Sequence, residues 1–214
     1  MILYHGSSVL FDRFDLAHVL EGDGKVKFGY GVYLTSSFRS AAHYSGAGRN
    51  DGMGNGNSIG RGTGDGTAPH YVYTVEVPGL TEGNHIDFKK PVHPDIVRRA
   101  EQKLEDLIPH KVTLDGKDFR KYLAKYFRNQ IDLDVSAEQY RTEILNLMGE
   151  QEASEFLKSI GVEFICWPYS WKNPEFGLNV AVLDDQKIKI LKVHQVELDN
   201  EQQLIPGSEK EVRL

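Results

Sequence analysis

The sequence has a single cysteine and no long apolar run, and these absences exclude several classes of protein. Cys166 is the only cysteine in 214 residues, so an intramolecular disulfide is impossible and a reducing compartment is expected. Its neighbours Phe164, Ile165 and Trp167 predict a buried structural thiol. No stretch is long enough for a membrane span, and no basic, apolar leader precedes the first strand. We therefore expect no membrane association and a cytoplasmic protein, although delivery into a target cell would leave no such signature.

The sequence also lacks the spacings that mark a metal site or a hydrolytic nucleophile. Its eight histidines form no His-x-x-x-His pair, no Cys-x-x-Cys exists, and no serine lies in a Gly-x-Ser-x-Gly turn. A metal cofactor is therefore not expected. The net charge of −6 argues against a surface that coats nucleic acid generally, although it permits a local basic face.

Strand-like runs enclose a helical block, which predicts an α+β fold. We expect one domain over residues 1–195, with a helical insertion at 94–160 and a charged, peripheral tail at 196–214. Residues 94–160 carry apolar positions at helical spacing, ending in a fourth helix near 152–160, and Ser37 is expected to cap a short helix over 38–44. The strands are expected at 1–4, 29–34, 71–77, 162–167, 178–183 and 187–193.

A glycine-rich segment separates the two parts of the β-rich region. Nine of the 21 residues at 46–66 are glycine, and such a segment cannot bury enough apolar surface to fold by itself. We expect a mobile loop over 45–68 that is either functional or disordered. It lacks the Lys-Ser/Thr ending of a phosphate-binding loop, so the glycines do not predict a nucleotide cradle.

Three short features stand in a fixed order along the chain. His5-Gly6-Ser7 ends the first strand, Tyr33 lies in the second, and Tyr44 follows eleven residues later on a helix. Together with YHGSS, GYGVYLTSSFRSAAHYS, YTVEVPG, IDFKKP, ASEFLKSIGVEFICW and NVAVLDDQKIKI, this order resembles the His-Tyr-Glu branch of the ADP-ribosyltransferases, which includes diphtheria toxin and the poly(ADP-ribose) polymerases. Within it, the blocks are similar to the domains of phage polyvalent proteins and bacterial toxins. The resemblance implies the ADP-ribosyltransferase fold, a split antiparallel sheet around an NAD+ cleft.

The resemblance assigns each of these residues a part in binding NAD+, the co-substrate. His5 would hydrogen-bond the adenosine ribose, and the Gly6 backbone would pair with the nicotinamide carboxamide. Ser7 would support the nicotinamide ribose, and Tyr33 and Tyr44 would hold the nicotinamide ring between them. Glycine at the carboxamide position lets the main chain approach the ligand closely, and aromatic rings stack favourably in a dry pocket.

The sequence departs from the family where the third signature residue, a glutamate, is expected. Asn179 occupies that position, and Glu175, four residues earlier, is the nearest carboxylate. Asn179 and Glu175 can share the role, Asn179 can suffice alone, or the domain can have lost transfer and only bind; we favour the first. The missing glutamate argues against polymer synthesis and for mono-transfer. The arginine-specific toxin class is disfavoured because Gly177 and Asn179 replace its Glu/Gln-x-Glu motif.

A second departure concerns the carboxamide contact on the helix. Ala41 stands where the polymerases have a serine, and Ser40 or Ser45 are the candidates to replace it, unless the contact is missing.

The acceptor is the least specified part of the prediction. A macromolecule, either nucleic acid or protein, is expected. One interpretation is a face for single-stranded RNA or DNA on the basic helix, with Tyr122 and Tyr126 for stacking. The alternative, which we favour, is a solvated helix face whose tyrosines lie in the core. The basic residues are Lys117, Arg120, Lys121, Lys125 and Arg128.

The resemblance thus implies a mono-ADP-ribosyltransferase that releases nicotinamide, in a bacterial or phage toxin or defence setting, with an antitoxin or immunity protein as a further partner. Two alternatives remain open. One is a catalytically inactive NAD+-binding or interaction module, and the other is an NAD+ glycohydrolase with water as the acceptor.

Overall fold

The computed structural model describes residues 1–19, 26–46, 69–104, 114–132 and 138–214. Within these ranges the chain forms a mixed α+β fold, as the strand and helix periodicities predict. The helices are α1 (Phe38–Gly46), α2 (Pro94–Lys103), α3 (Gly116–Arg128) and α4 (Glu138–Ser159), with 3-10 turns at Leu16–His18, Pro174–Phe176 and Asp185–Lys187. The strands are β1 (Ile2–Ser7), β2 (Val32–Thr35), β3 (His70–Glu76), β4 (His85–Asp87), β5 (Phe164–Pro168), β6 (Leu178–Val182), β7 (Lys189–Val196) and β8 (Lys210–Val212).

The strands form one sheet in the order β4-β5-β6-β2-β1-β3-β7-β8, in which only the β4–β5 pair is parallel. The sheet is weakly joined at its centre. β1 pairs with β3 along all six of its residues, from Ile2 to Ser7, but with β2 at a single position, Tyr4 opposite Thr35. The strands therefore form one continuous sheet whose narrowest joint lies between β1 and β2, and the split sheet stays a prediction.

Strand register decides which side chains share a face, because residues directly opposite in a sheet point the same way. Tyr4 is opposite Thr35, and Tyr33 is opposite Ala181, so these residues lie on one face together with Gly6. Helices α2, α3 and α4 cover this face over β5, β6 and β2, while α1 covers it over β1 and β3. The opposite face carries a second apolar cluster, against which residues of the 8–19 segment pack.

The helical insertion has three helices among the described residues. Ile96 and Ala100 of α2, and Phe119 and Leu123 of α3, are buried, as their helical spacing predicts. The expected fourth helix near 152–160 is not separate, because α4 runs unbroken from Glu138 to Ser159. Residues 45 and 46 of the expected loop belong to α1, whereas its remainder at 47–68 and residues 105–113 and 133–137 of the helical block lie outside the described residues.

Two short strands at the edges of the sheet lack the alternating pattern from which strands are predicted. β4 is three residues long and pairs with β5, and β8, also three residues long, pairs with β7. The tail at 196–214 is peripheral in the sense that it lies at the sheet's outer edge, yet it contributes this strand and the buried Leu204. Among the described helices, none has both the length and the apolar character that crossing a bilayer requires.

Candidate functional site

The centre of the candidate site is the opening between β1 and β2. The two strands are paired only at Tyr4 and Thr35, and beyond this pair the side chain of His5 connects them. The Nδ1 atom of His5 lies 2.8 Å from the main-chain oxygen of Tyr33. A carbonyl oxygen only accepts, so Nδ1 must carry the proton and donate it. In the neutral ring, Nε2 is then an acceptor, and it can take a hydrogen bond from a ligand hydroxyl.

Aromatic side chains enclose the His5 ring on its own face of the sheet. Its centroid lies 5.2 Å from Phe14 and 6.2 Å from both Phe11 and Tyr73, each in an edge-on arrangement. This burial lowers the pKa of His5 below its ordinary value of 6.5, and the hydrogen bond to Tyr33 opposes that effect. The histidine is therefore neutral at pH 7, and its second nitrogen stays an acceptor.

Gly6 is the point at which α1 packs directly onto the sheet. A Cβ atom there would lie 1.8 Å from the carbonyl oxygen of Ala41 and 2.8 Å from the main-chain nitrogen of Ser45. Only glycine permits this approach of helix to strand. The helix that carries Tyr44 is thereby held against the strand that carries His5. Ser7 follows at the end of β1, and its hydroxyl accepts a hydrogen bond from the N–H of Val9 at 3.0 Å.

The Tyr33 side chain is fixed at both its hydroxyl and its ring. The hydroxyl donates to the Gly29 carbonyl at 2.9 Å and accepts from the Phe28 N–H at 2.9 Å. Its ring meets Trp167 edge-on at 5.4 Å. Burial raises the pKa of this phenol to about 12, so the hydroxyl stays protonated at neutral pH. Tyr33 is thus suited to present a ring to a ligand, while its oxygen serves as a structural hydrogen-bonding group.

Helix α1 places Tyr44 toward solvent and Ser40 toward the interior. The Ser37 hydroxyl accepts from the Ser40 N–H at 3.2 Å, which confirms Ser37 as the helix cap. Ser40 is buried, whereas 59% of Tyr44 is exposed, and its ring contacts only His43 among the described aromatic residues. Ser45 is also buried, and its hydroxyl donates to the carbonyl of Ala42 at 2.6 Å. An exposed ring on a firmly packed helix can cover a ligand that enters from solvent.

The two candidates for the third signature residue lie in different environments. Asn179 is in β6, opposite Thr35 of β2 on one side and Trp167 of β5 on the other. Since alternate residues of β2 share a face, Asn179 is on the same face of the sheet as Tyr33, and it is 9% exposed. Glu175 lies in the exposed turn Pro174–Phe176 before the strand. The structure thus places Asn179 on the face that carries the Tyr33 ring, opposite the face that carries the His5 ring, and leaves Glu175 exposed in the turn.

Sequence reasoning missed a buried ion pair that supports the Tyr33 hydroxyl. Arg120 of α3 pairs with Glu150 of α4 and is 3% exposed, and it also donates to the Lys27 carbonyl at 3.3 Å. The next two residues along the chain, Phe28 and Gly29, are the ones that hold the tyrosine oxygen. The guanidinium lies 5.6 Å from the Phe88 ring centroid. No spacing in the sequence marks this pair, because its members are thirty residues apart on different helices.

The same observation corrects the basic face expected on α3. Arg120 does not belong to an exposed surface, since its charge is buried against Glu150. Arg128 is half-buried and donates to the Asn146 side chain at 2.9 Å. Tyr122 and Tyr126 pack against the core, which confirms the alternative in which the tyrosines are core residues. The exposed basic residues that remain on the helix are Lys117, Lys121 and Lys125.

Comparison with known proteins gave no match: no family model, no curated protein and no solved structure is significantly similar to this chain. The resemblance to the ADP-ribosyltransferases therefore stays a prediction from the sequence. Among the described residues, no group of three His, Cys, Asp or Glu side chains is placed to hold a metal ion.

Proposed function

We propose that this protein binds NAD+ at the opening between β1 and β2 and transfers ADP-ribose to a macromolecule, in the ADP-ribosyltransferase fold. The observation that carries the proposal is the bridge from His5 Nδ1 to the Tyr33 carbonyl, which joins two of the residues that the resemblance assigns to NAD+. The sequence motifs around His5 and Tyr33 do not by themselves require this hydrogen bond. It supports the view that these positions form one site.

The groups around the opening match the chemistry of NAD+. A neutral histidine offers an acceptor to a ribose hydroxyl, and the β1 edge at Gly6 is not paired with β2. A carboxamide has one donor group and one acceptor oxygen, which a free strand edge can satisfy in the manner of a sheet partner. The exposed ring of Tyr44 and the fixed ring of Tyr33 supply flat apolar surfaces for the nicotinamide.

In the proposed reaction the bond between ribose C1′ and the nicotinamide nitrogen breaks, and its electron pair neutralises the pyridinium. Positive charge develops on the ribose, and a carboxylate stabilises such charge better than an amide does. Glu175 supplies that charge and receives the acceptor's proton as the new bond to C1′ forms, while Asn179 orients the ribose. Nicotinamide leaves, and one ADP-ribose is transferred. Because the buried Asn179 is not a carboxylate, we propose mono-transfer.

Nicotinamide release and the fate of the label test this proposal together. The protein is incubated with adenylate-labelled NAD+ and a cell lysate, and parallel samples are treated with nuclease or protease. We expect nicotinamide release and macromolecule-bound label that one of the two treatments removes. Glu175→Gln is expected to slow release at least tenfold, with Glu209→Gln in the C-terminal segment as a control for an exposed glutamate of no proposed role.

Each alternative has a distinct result in the same assay. Free ADP-ribose with no bound label identifies a glycohydrolase, with water as the acceptor. NAD+ binding without any nicotinamide release identifies an inactive binding module. If Glu175→Gln and Asn179→Ala both leave the rate unchanged, the assignment of the third residue is wrong. We propose a toxin or defence setting for the transferase, with an antitoxin or immunity protein as its inhibitor.

A further inference from the structure

A patch of exposed rings and lysines lies where β5 ends and β6 begins. The segment 169–177 joins these strands and closes on itself, since the Tyr169 N–H donates to the Gly177 carbonyl at 2.9 Å. On one side the segment continues into Trp167, whose ring contacts Tyr33, and on the other into Asn179. In sequence, the segment therefore lies between Trp167, which contacts Tyr33, and Asn179.

Three aromatic side chains of this segment are exposed. The exposed fraction is 44% for Tyr169, 50% for Trp171 and 65% for Phe176. Among the described Phe, Tyr and Trp side chains, the only other exposed one is Tyr44. Three such rings within eight residues are unusual on a folded surface, where large apolar groups are normally buried and exposed clusters mark contact sites.

Lysines accompany the rings. The Lys89 ammonium donates to the Trp171 carbonyl at 3.1 Å and lies 5.2 Å from the centroid of the Trp171 ring. Lys90, at the same turn, is exposed and pairs with Asp87, and Lys172 is exposed beside the tryptophan. This surface, the Trp171 patch, comprises Tyr169, Trp171, Phe176, Lys89, Lys90 and Lys172. The three lysines outnumber the two neighbouring carboxylates, Asp87 and Glu175, so these groups together carry a net charge of +1.

We propose that the Trp171 patch binds single-stranded nucleic acid and presents it to the site as the acceptor of ADP-ribose; this inference rests on the proposed function. Unpaired bases stack on exposed rings, and lysines attract the phosphates between them. A duplex keeps its base faces covered and cannot stack in this way. An acidic peptide would pair with the lysines but would leave the three rings in water.

Direct binding measures this without any requirement for turnover. The probes are fluorescein-labelled single strands of about 16 nucleotides, as DNA and as RNA, and the same DNA as a duplex. Fluorescence anisotropy with the full chain should show single strands binding at least tenfold more tightly than the duplex. Trp171→Ala should weaken single-strand binding by about tenfold or more, whereas Leu191→Ala, which truncates an exposed apolar side chain on β7, should not change it.

The charge contribution is tested separately, so that the result does not depend on one variant. Lys89→Ala combined with Lys172→Ala should weaken binding and reduce the slope of log affinity against log salt by about 1.4, because each lost phosphate contact contributes about 0.7 for a single strand. The matched control is Lys192→Ala combined with Lys210→Ala, two exposed lysines of β7 and β8. Circular dichroism establishes that all variants are folded.

The outcomes separate this inference from the proposed function. NAD+ binding without oligonucleotide binding overturns the inference alone, as does label transferred only to protein. Equal loss of affinity in the control variants also overturns it. Oligonucleotide binding that depends on Trp171 supports it, and if NAD+ binding is then absent, the proposed function fails while the nucleic-acid surface stands.

Discussion

The Nδ1 atom of His5 and the carbonyl oxygen of Tyr33 lie 2.8 Å apart, between two strands that are paired at a single position, Tyr4 opposite Thr35. The His5 side chain connects β1 to β2 there, where main-chain hydrogen bonds connect strands elsewhere in the sheet. The neighbouring main chain of β1 is not paired with β2. The bond also fixes the tautomer of the histidine. The neutral ring therefore has one nitrogen committed to the protein and one available as an acceptor.

The first prediction concerns the pH dependence of stability. The pKa of His5 in the folded chain lies below its ordinary value of 6.5, so below that pH the unfolded chain takes up a proton that the folded chain does not. The free energy of unfolding should fall as the pH drops through this range, and it should stop falling once the folded-state pKa is passed. His5→Asn keeps a donor near the Tyr33 carbonyl but does not titrate.

Urea unfolding of wild type and His5→Asn at about pH 7.5 and pH 5.5 measures this contribution. We expect the variant to lose less stability on acidification than the wild type does. Equal losses in the two proteins would mean that His5 is not held neutral by its surroundings.

A second prediction concerns the contact between α1 and β1. Gly6→Ala would place a methyl group 1.8 Å from the Ala41 carbonyl oxygen, and because this oxygen belongs to the main chain of α1 the helix must move. We expect a loss of about 3 kcal/mol or more in the free energy of unfolding, at the upper end of the usual cost of overpacking. NAD+ binding should weaken as well, since Tyr44 moves with the helix.

Gly83→Ala is the matched control, because a methyl group there meets no atom within 4 Å. That change should lie within about 1 kcal/mol of wild type. Denaturant unfolding of the two variants makes the comparison, and a Gly6→Ala protein as stable as Gly83→Ala would contradict the packing described for α1.

The features that can be predicted from the sequence have causes within their own segment, whereas the features that cannot be predicted depend on distant parts of the chain. The buried stripe of α3 follows from its own spacing, and Phe119 and Leu123 are buried as predicted. The short strands β4 and β8 form because a neighbouring strand offers its edge, and their own three residues carry no periodicity. The Arg120 side chain is buried because it pairs with Glu150 on another helix, so the exposed basic residues near it in sequence, Lys117 and Lys121, indicate the wrong environment.

The same distinction between local and distant causes applies to the candidate site. His5 and Tyr33 can be predicted from their motifs, but the hydrogen bond that joins them depends on strand register across the opening. The exposed rings of Trp171 and Phe176 could have been noticed as apolar residues in a Pro- and Gly-containing loop. Their exposure, however, depends on which faces of β5 and β6 the rest of the fold covers.

The Tyr33 hydroxyl is predicted to stabilise the fold. Tyr33→Phe removes one donor and one acceptor and leaves the Phe28 N–H and the Gly29 carbonyl without that partner. The expected loss in the free energy of unfolding is about 1–3 kcal/mol, while NAD+ affinity should change little because the ring remains. Tyr169→Phe, on an exposed ring, should leave stability unchanged. A larger effect on NAD+ affinity than on stability would assign the Tyr33 oxygen to the ligand instead.

The ion pair between Arg120 and Glu150 is predicted to be costly to break and much less costly to replace. Arg120→Met and Glu150→Gln should each destabilise the protein by about 3–5 kcal/mol when they leave a buried charge unpaired. The double variant should lose less than the sum of the two, and unfolding of all four proteins completes the cycle. Additive losses would show that the two side chains do not interact, and that the support of the Lys27–Gly29 turn has another source.

The most direct test of the account is titration of the folded protein with NAD+ by isothermal calorimetry, in wild type and in Tyr44→Ala. Tyr44 is 59% exposed, so its removal should leave the unfolding temperature unchanged. Leu191→Ala, another exposed apolar truncation, serves as the control. We expect wild type and Leu191→Ala to bind NAD+ equally and Tyr44→Ala to bind at least about fivefold more weakly, because one stacking surface that contributes about 1 kcal/mol or more is lost. Folded wild-type protein that does not bind NAD+, or a Tyr44→Ala variant that binds it as tightly as wild type, would contradict the central claim.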